Sequence, residues 1–206
     1  VVMLQMSAEQ LDEIALPEGE VIGVIANYAL DSLPADVVRT DGCRLHMQAC
    51  IYGDDNEILQ ATGMSKEEIQ QRLEKNDVDG LLPLLDILEV QASFLPGEVK
   101  GAAGALKAAR SDVAMINVGA LSFLDKALSK LCDGGILLIN DYGATLQEEF
   151  KRQTFVHRFG GTITCALNFP HLDQWCKERG CDVLVPTDDE HRSIHTRVVV
   201  KGEGRV

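Results

Sequence analysis

The amino-acid sequence predicts an α/β fold with a mostly parallel sheet, and three observations lead to this prediction. Residues 20–30 (EVIGVIANYAL) form a continuous apolar run, as do strands that are buried on both faces of a parallel sheet. A second run of this kind covers residues 135–143 (GILLINDYG). Helix patterns alternate with the strand patterns along the chain, which is typical of α/β proteins.

The first half of the chain carries clear signals for helix starts and for one hairpin. Ser7 followed by Gln10, and Ser65 followed by Glu68, are capping-box patterns, which predict a helix after each serine. The Asp-Gly pair at 41–42 predicts a hairpin. In chain order, the predicted elements are a strand at 1–6, a helix at 7–14, a strand at 20–30, a hairpin around 41–42, a helix at 65–76 and a helix at 101–110.

The second half alternates more regularly between the two kinds of element. Pro170 in a first helical turn and Gly180 just past the helix end are typical helix boundaries. In chain order, the predicted elements are an amphipathic helix at 120–131, strands at 135–143 and 160–169, a helix at 170–180, a short strand at 181–186 and a last strand at 195–201. The stretch 41–110 interrupts the alternation, so we interpret it as an insertion or cap within one domain, 1–206.

Composition excludes some classes of function. The chain has 206 residues, of which 46% are hydrophobic, and this fits one globular domain with a real core. Its net charge of -13 argues against nucleic acid as a partner, because a phosphate backbone would be repelled. No apolar run approaches the ~20 residues of a membrane-spanning helix, and no signal peptide is recognisable at the N-terminus. These features predict a cytoplasmic protein without a membrane partner.

The cysteines and histidines give no metal-binding pattern. The six cysteines include no pair with the two-residue gap of a zinc ribbon or a redox dithiol. The closest pair, Cys176 and Cys181, is predicted to consist of buried structural thiols. Only His191 and His195 lie near each other, and they fall where a loop enters a strand. We therefore predict no metal site.

Polar residues follow two of the predicted strands, and they are the candidate site. One polar corner covers residues 27–32 (NYALDS) and the other covers residues 140–142 (NDY). Open α/β sheets bind ligands beyond the carboxyl ends of their strands, so two such corners on one sheet predict a binding site. The alternative for each corner is that Asp31 or Asp141 only caps a turn or a helix.

These corners resemble two motifs of class I S-adenosylmethionine-dependent methyltransferases. The run VIANYALDSLP, followed by GGILLINDYG and then GGTITCALNF, is similar to the group with Asn-x-x-x-Asp-x-Leu-Pro and Asp-Tyr-Gly motifs. That group includes arginine methyltransferases that assist respiratory complex I assembly. Tyr28 stands where the group often has Glu. The matching residues are Asn27, Asp31, Leu33, Pro34, Asp141, Tyr142 and Gly143.

The resemblance implies a Rossmann-like, mostly parallel sheet that ends in an antiparallel strand, here residues 195–201. It implies an S-adenosylmethionine-dependent transferase, a methyltransferase whose acceptor is a protein side chain. The cofactor would be contacted by Ser7, Ala8, Asn27 and Tyr28. Asn27 and Asp31 would be the catalytic residues, with Asp31 accepting hydrogen bonds from a cationic nucleophile. Asp141 and Tyr142 would line the substrate side.

The glycine-rich turn that holds the cofactor in this family is absent. No Gly-x-Gly-x-Gly lies between a strand and a helix, and the family places that turn before the strand that residues 1–6 resemble. The chain would then be the C-terminal part of a longer enzyme, with a fold incomplete at its N-terminus. Alternatively, it is a catalytically inactive interaction or scaffold module. In either case we expect the isolated chain to bind the cofactor weakly or not at all, and to form a homodimer through an open sheet edge.

Overall fold

The computed structural model describes residues 18–152, 156–159, 162–189 and 193–202. The chain forms two compact units, which we treat separately. The first consists of Val1–Arg44 and Pro96–Val206, and the second of Leu45–Leu95. The second unit falls inside the range 41–110 that the sequence sets apart. The predicted strand at 1–6 and helix at 7–14, with Ser7 and Ala8, lie outside the described residues.

Strands and helices alternate along the described chain. The strands are β1 Val21–Asn27, β2 Asp36–Arg39, β3 Cys43–Ile51, β4 Leu88–Pro96, β5 Val113–Ile116, β6 Leu131–Ala144, β7 Val156–Phe159, β8 Thr162–Cys165, β9 Leu167–Asn168, β10 Asp182–Leu184 and β11 Ile194–Val200. The helices are α1 Asp55–Thr62, α2 Lys66–Glu74, α3 Val78–Leu81, α4 Ala102–Ala109, α5 Val118–Lys130, α6 Gln147–Arg152 and α7 Phe169–Glu178, and a 3-10 helix spans Leu82–Asp86.

The main sheet of the first unit is mixed, with the strand order β1-β6-β11-β10. β1 and β6 are parallel, whereas β11 is antiparallel to β6 on one side and to β10 on the other. β9 adds a short parallel pairing at the end of β6. The α/β class is therefore confirmed, but a mostly parallel sheet is not, because β11 returns between two strands that run the other way.

One face of this sheet carries the core of the first unit. Leu137 and Ile139 of β6 are fully buried there and belong to one apolar cluster with residues of α5 and α7. Successive side chains of a strand point to opposite faces, so the residues between them lie on the other face. There Ile25 is 73% exposed and Ile136 is also exposed. The prediction that β1 and β6 are both buried on two faces is therefore wrong: among the described residues each has one open face, and β1 is an edge strand.

A smaller sheet completes the first unit. β2 pairs antiparallel with β5 and, through Val38 and Arg44, with the start of β3. Gly42 has a φ of +79° in the turn between β2 and β3, a conformation that glycine adopts without steric cost. The hairpin that the Asp-Gly pair predicts is therefore confirmed.

The helix predictions hold within the described residues. α2, α4, α5 and α7 lie where the sequence places helices. The strand predicted at 160–169 is interrupted, because β8 forms a hairpin with β7 and β9 pairs with β6 instead. None of the described helices is long and apolar enough to cross a bilayer.

The second unit has a small core of its own. Strands β3 and β4 are neighbours in one sheet, and the helical segments α1, α2, α3 and Leu82–Asp86 lie between them in sequence. The four buried residues of its core are Ile58, Met64, Ile69 and Leu84. α1 and α2 each begin with a complete capping box, formed by Asp54 with Glu57 and by Ser65 with Glu68.

The Ser65 cap gives a first prediction, because this unit has little core to compensate for a lost cap. We expect Ser65→Ala to lower the stability of α2 against local unfolding by about 1 kcal/mol. Amide hydrogen exchange of α2 residues measures this loss directly. Gln71→Ala, an exposed position in the same helix, is the matched control and should leave exchange unchanged or slower. Equal exchange rates in Ser65→Ala and the wild type would contradict the assignment.

Candidate functional site

The two polar corners meet because β1 and β6 are adjacent parallel strands that are in register at Asn27 and Asn140. Asp141 extends from β6 to the turn that follows β1. Its Oδ2 accepts the backbone N–H groups of Ala29 at 3.1 Å, Leu30 at 2.8 Å and Asp31 at 3.3 Å. Its Oδ1 accepts the N–H of the next residue, Tyr142. One carboxylate therefore holds the first corner against the second.

Asp141 is fully buried, and these four backbone groups engage both of its oxygens. The geometry therefore gives no support to its predicted contact with substrate. It matches the alternative in which this aspartate organises a turn. Asp141 acts on the site by fixing the backbone of residues 29–31.

Asp31 lies beside Asp141, and this position changes its acidity. Asp31 is 7% exposed. Burial, followed by the nearby charge of Asp141, raises the pKa of Asp31 to about 6 from its ordinary value of 3.8. Its backbone carbonyl accepts the N–H of Cys165 at 2.7 Å, so the turn is also fixed from the other side. Near neutral pH the Asp31 carboxyl can therefore take up or release a proton.

A row of polar side chains crosses the sheet on its open face. Asn140 Nδ2 donates to Asn27 Oδ1 at 2.8 Å, and Thr196 Oγ1 donates to Asn140 Oδ1 at 3.0 Å. The three residues come from β1, β6 and β11 and are opposite each other in register. Asn27 is exposed, and none of the described residues accepts from its Nδ2. The row therefore presents an amide donor to a ligand.

Two tyrosines stand next to this row. The rings of Tyr28 and Tyr142 have centroids 5.6 Å apart and planes tilted by 42°, and they are 48% and 41% exposed. Tyr28 has a φ of +51°, and its N–H donates to the carbonyl of Asn140 at 2.9 Å. A left-handed conformation is costly for a tyrosine, and such strain is found at binding and catalytic sites. The pair offers exposed aromatic faces, which attract cations.

The remaining motif residues have a structural part, because they let backbone segments pack closely together. A Cβ on Gly143 would lie 2.6 Å from the carbonyl oxygen of Leu167 and from the ring of Phe169, so only glycine lets β9 approach β6. At the first corner, the N–H of Gly119 donates to the carbonyl of Pro34 at 2.8 Å. A Cβ on Gly119 would lie 2.7 Å from Leu33 Cβ. The Leu-Pro pair is thus packed against the first turn of α5.

The structure brings Asn27, Tyr28, Asp31 and Tyr142 to one edge of the sheet, and it sets Asp141 behind them. Thr196 is a member of the site that the sequence reasoning missed. Its signal was present, because Thr196 is the polar residue among the alternating positions 194, 196, 198 and 200 of β11, where the others are Ile and Val. Its position opposite Asn140 follows only from the antiparallel register.

The arrangement can bind a polar or cationic ligand, and it contains one carboxyl with a pKa suited to proton transfer. Within the described ranges, no group of three or more His, Cys, Asp or Glu side chains is placed to hold a metal ion. Comparison with protein-family models, with curated proteins and with solved structures gives no match for this chain.

Proposed function

We propose that this chain forms the acceptor side of an S-adenosylmethionine-dependent methyltransferase that acts on a protein side chain. The observation that carries the proposal is the meeting of the two polar corners at the carboxyl ends of adjacent parallel strands. Open α/β sheets bind their ligands there. The exposed donor of Asn27, the tyrosine pair and the proton-exchanging Asp31 all lie at this edge.

The strand order supports the class I methyltransferase type of fold. That type implies an antiparallel final strand, and β11 is antiparallel to β6. β11 also lies between β6 and β10, so the last strand of the chain enters the sheet next to the strand that carries the second corner. A helix, α7, connects β9 to β10 on the buried face, in the place of the expected crossover helix.

The residues at the corner fit one part of the cofactor. The rings of Tyr28 and Tyr142 suit a sulfonium, because aromatic faces attract cations. The free amide hydrogens of Asn27 suit a carboxylate or hydroxyl oxygen. When bound, the cofactor supplies a methyl group on a positively charged sulfur. The chain's own residues then have to hold the acceptor in line with that group and keep water away from it.

Each side chain has a defined part in this proposal. Asn27 orients the cofactor or the acceptor through its amide. Tyr28 and Tyr142 form the wall of the pocket. Asp31 accepts a hydrogen bond from the acceptor and, with its pKa of about 6, takes up a proton if the acceptor must lose one. The net charge of -13 is compatible with a basic protein segment as acceptor.

The test uses the full-length protein, with methyl transfer from tritiated cofactor and cofactor binding by calorimetry. We expect Asp31→Ala and Asn27→Ala each to lower the transfer rate by about a hundredfold, as is typical for loss of an acid–base or positioning group. Asn56→Ala, an exposed asparagine in α1, is the control and should keep the wild-type rate. Wild-type rates in both site variants would refute these roles.

A second candidate is an interaction module without catalysis, and the open face of the main sheet favours it. Ile25, Ile136 and Leu184 are exposed large apolar residues of this sheet, and exposed apolar surface often marks a protein contact. The chain also lacks a Gly-x-Gly-x-Gly turn between a strand and a helix. A full-length protein that binds no cofactor in the calorimeter would favour this module over the enzyme.

A further inference from the structure

The open face of the main sheet carries an apolar row that crosses all four strands of the order β1-β6-β11-β10. The registers place Ile25 of β1 opposite Leu138 of β6, Leu138 opposite Val198 of β11, and Val198 opposite Leu184 of β10. Residues directly opposite each other on neighbouring strands have their side chains on the same face of the sheet. These four residues therefore form one continuous apolar row on the face that the described core cluster does not occupy.

The two ends of this apolar row are its most exposed members. Ile25 is 73% exposed and Leu184 is 58% exposed, whereas the two residues between them are partly buried. A second apolar pair lies beside the row on the same face, where Ile136 is opposite Val200. Contiguous exposed apolar surface of this kind marks a contact with another protein surface.

The charge on this face indicates what kind of surface covers it. Asp182, opposite Val200 at one corner, is the one charged residue among the described positions of the face. A strongly charged partner would find little to pair with, whereas homodimer interfaces are more apolar than other interfaces. The net charge of -13 repels a second copy, but packed sheets lie about 10 Å apart, and a Debye length of about 8 Å screens much of that repulsion at physiological salt.

The size of the face fits a weak dimer. β1 and β11 have seven residues each and β10 has three. With strands about 4.8 Å apart and a rise of about 3.3 Å per residue, the four strands have a footprint of about 400 Å². Side chains that project from the sheet expose more area than this footprint. Two copies would then bury about 1,000 Å² in total, which is typical of weak, reversible complexes.

We propose that two copies of this chain pack face to face through this surface, related by a twofold axis parallel to the strands. Such an axis reverses the strand order but keeps each row at its level along the strands, so Ile25 of one copy meets Leu184 of the other. The two most exposed ends of the row then cover each other. The polar row of Asn27, Asn140 and Thr196 lies at the rim of the contact. The proposal does not depend on the methyltransfer function.

The test begins with the oligomeric state of the 206-residue chain, measured by sedimentation velocity over a range of concentrations. We expect a reversible equilibrium of monomer and dimer with a micromolar Kd, as an interface of this size gives. A chain that is still monomeric at about 100 µM would overturn the proposal. In that case another segment of the chain, or another protein, would be the occupant of the face.

Two lysine substitutions test the surface. Ile25→Lys and Leu184→Lys each place an unpaired charge inside the dimer contact, so we expect each to weaken dimerisation by about tenfold or more. Leu73→Lys, in α2 of the second unit, is the matched control, because Leu73 is 55% exposed and Leu184 is 58% exposed. The control should dimerise as the wild type does. Circular dichroism checks that each variant keeps its fold. Equal dimerisation of Leu184→Lys and Leu73→Lys would overturn the proposal.

The double variant Ile25→Lys with Leu184→Glu tests the direction of the twofold axis. Within one copy the two positions are three strand spacings apart, about 14 Å, which is too far for an ion pair. In the proposed dimer each introduced lysine lies against the introduced glutamate of the other copy. We expect the double variant to dimerise about tenfold more tightly than Ile25→Lys alone. A double variant that dimerises no more tightly than Ile25→Lys would overturn the proposed meeting of the two ends.

Discussion

Asp141→Ala is expected to lower the free energy of unfolding by about 3 to 4 kcal/mol, the largest effect of any single substitution at the site. The buried carboxylate accepts the N–H groups of Ala29, Leu30 and Asp31. Without it these donors lose their partner, and an unsatisfied buried donor costs about 1 to 3 kcal/mol. Alanine also leaves a cavity where the side chain was packed. Urea unfolding at pH 7, followed by circular dichroism, measures the loss.

Two comparisons make this result specific. Asp141→Asn keeps one acceptor oxygen, so we expect it to lose about half as much stability as alanine does. Asp182→Ala removes an exposed aspartate from β10 of the same sheet, and it should change stability by less than about 0.5 kcal/mol. If Asp141→Ala stayed within about 1 kcal/mol of the wild type, the turn would form without the carboxylate and our account of the corner would be wrong.

Local signals predict much of the fold, because each of them depends only on residues that are close together in the sequence and can be recognised without the structure. The capping box of Ser65 with Glu68 needs only four residues, and it gives the start of α2 correctly. The Asp-Gly pair at 41–42 likewise gives the hairpin. The hairpin of β7 with β8 is not predicted, because the Gly-Gly pair at 160–161, which is also a hairpin signal, is interpreted as the start of the strand at 160–169.

The site was only partly predictable, because its members are joined by long-range contacts. Asp141 bonds to residues that are more than 100 positions away in the sequence, so its role in the turn is visible only in the structure. The position of Thr196 depends on the antiparallel register of β11. What the sequence does show is that each apolar run is followed by a polar corner. The parallel pairing of β1 with β6 brings the two corners together, although residues 140–142 are still part of β6.

The Asp31 carboxyl is expected to destabilise the fold at neutral pH. Burial and the Asp141 charge raise its pKa to about 6, whereas the ordinary value of 3.8 applies to the unfolded chain. Between these two values the folded state holds a proton that the unfolded state has released. The favourable contribution of the protonated Asp31 carboxyl to the free energy of unfolding is therefore complete below about pH 4, and it is lost as the pH rises to about 6. The full change is about 3 kcal/mol, at 1.36 kcal/mol for each pKa unit.

Asp31→Asn removes this titration while keeping the shape of the side chain. We expect the variant to be about 1 to 3 kcal/mol more stable than the wild type at pH 7, with a smaller dependence of stability on pH between 4 and 6. Urea unfolding at half-unit pH intervals measures both quantities. Asp182→Asn is the matched control and should follow the wild-type curve. A variant that is less stable at pH 7, or that keeps the wild-type pH dependence, would show that Asp31 titrates normally.

The same variant connects stability with function. If Asp31→Asn stabilises the chain and also abolishes methyl transfer in the full-length protein, the carboxyl is retained at a cost in folding energy for the sake of the site. That combination is typical of active-site residues, where function and stability conflict. If the variant were stabilised but transferred methyl groups normally, the raised pKa of Asp31 would be a consequence of its burial beside Asp141 and would have no part in the reaction. Measuring both properties on one substitution therefore separates the proposed catalytic role of Asp31 from its place in the fold.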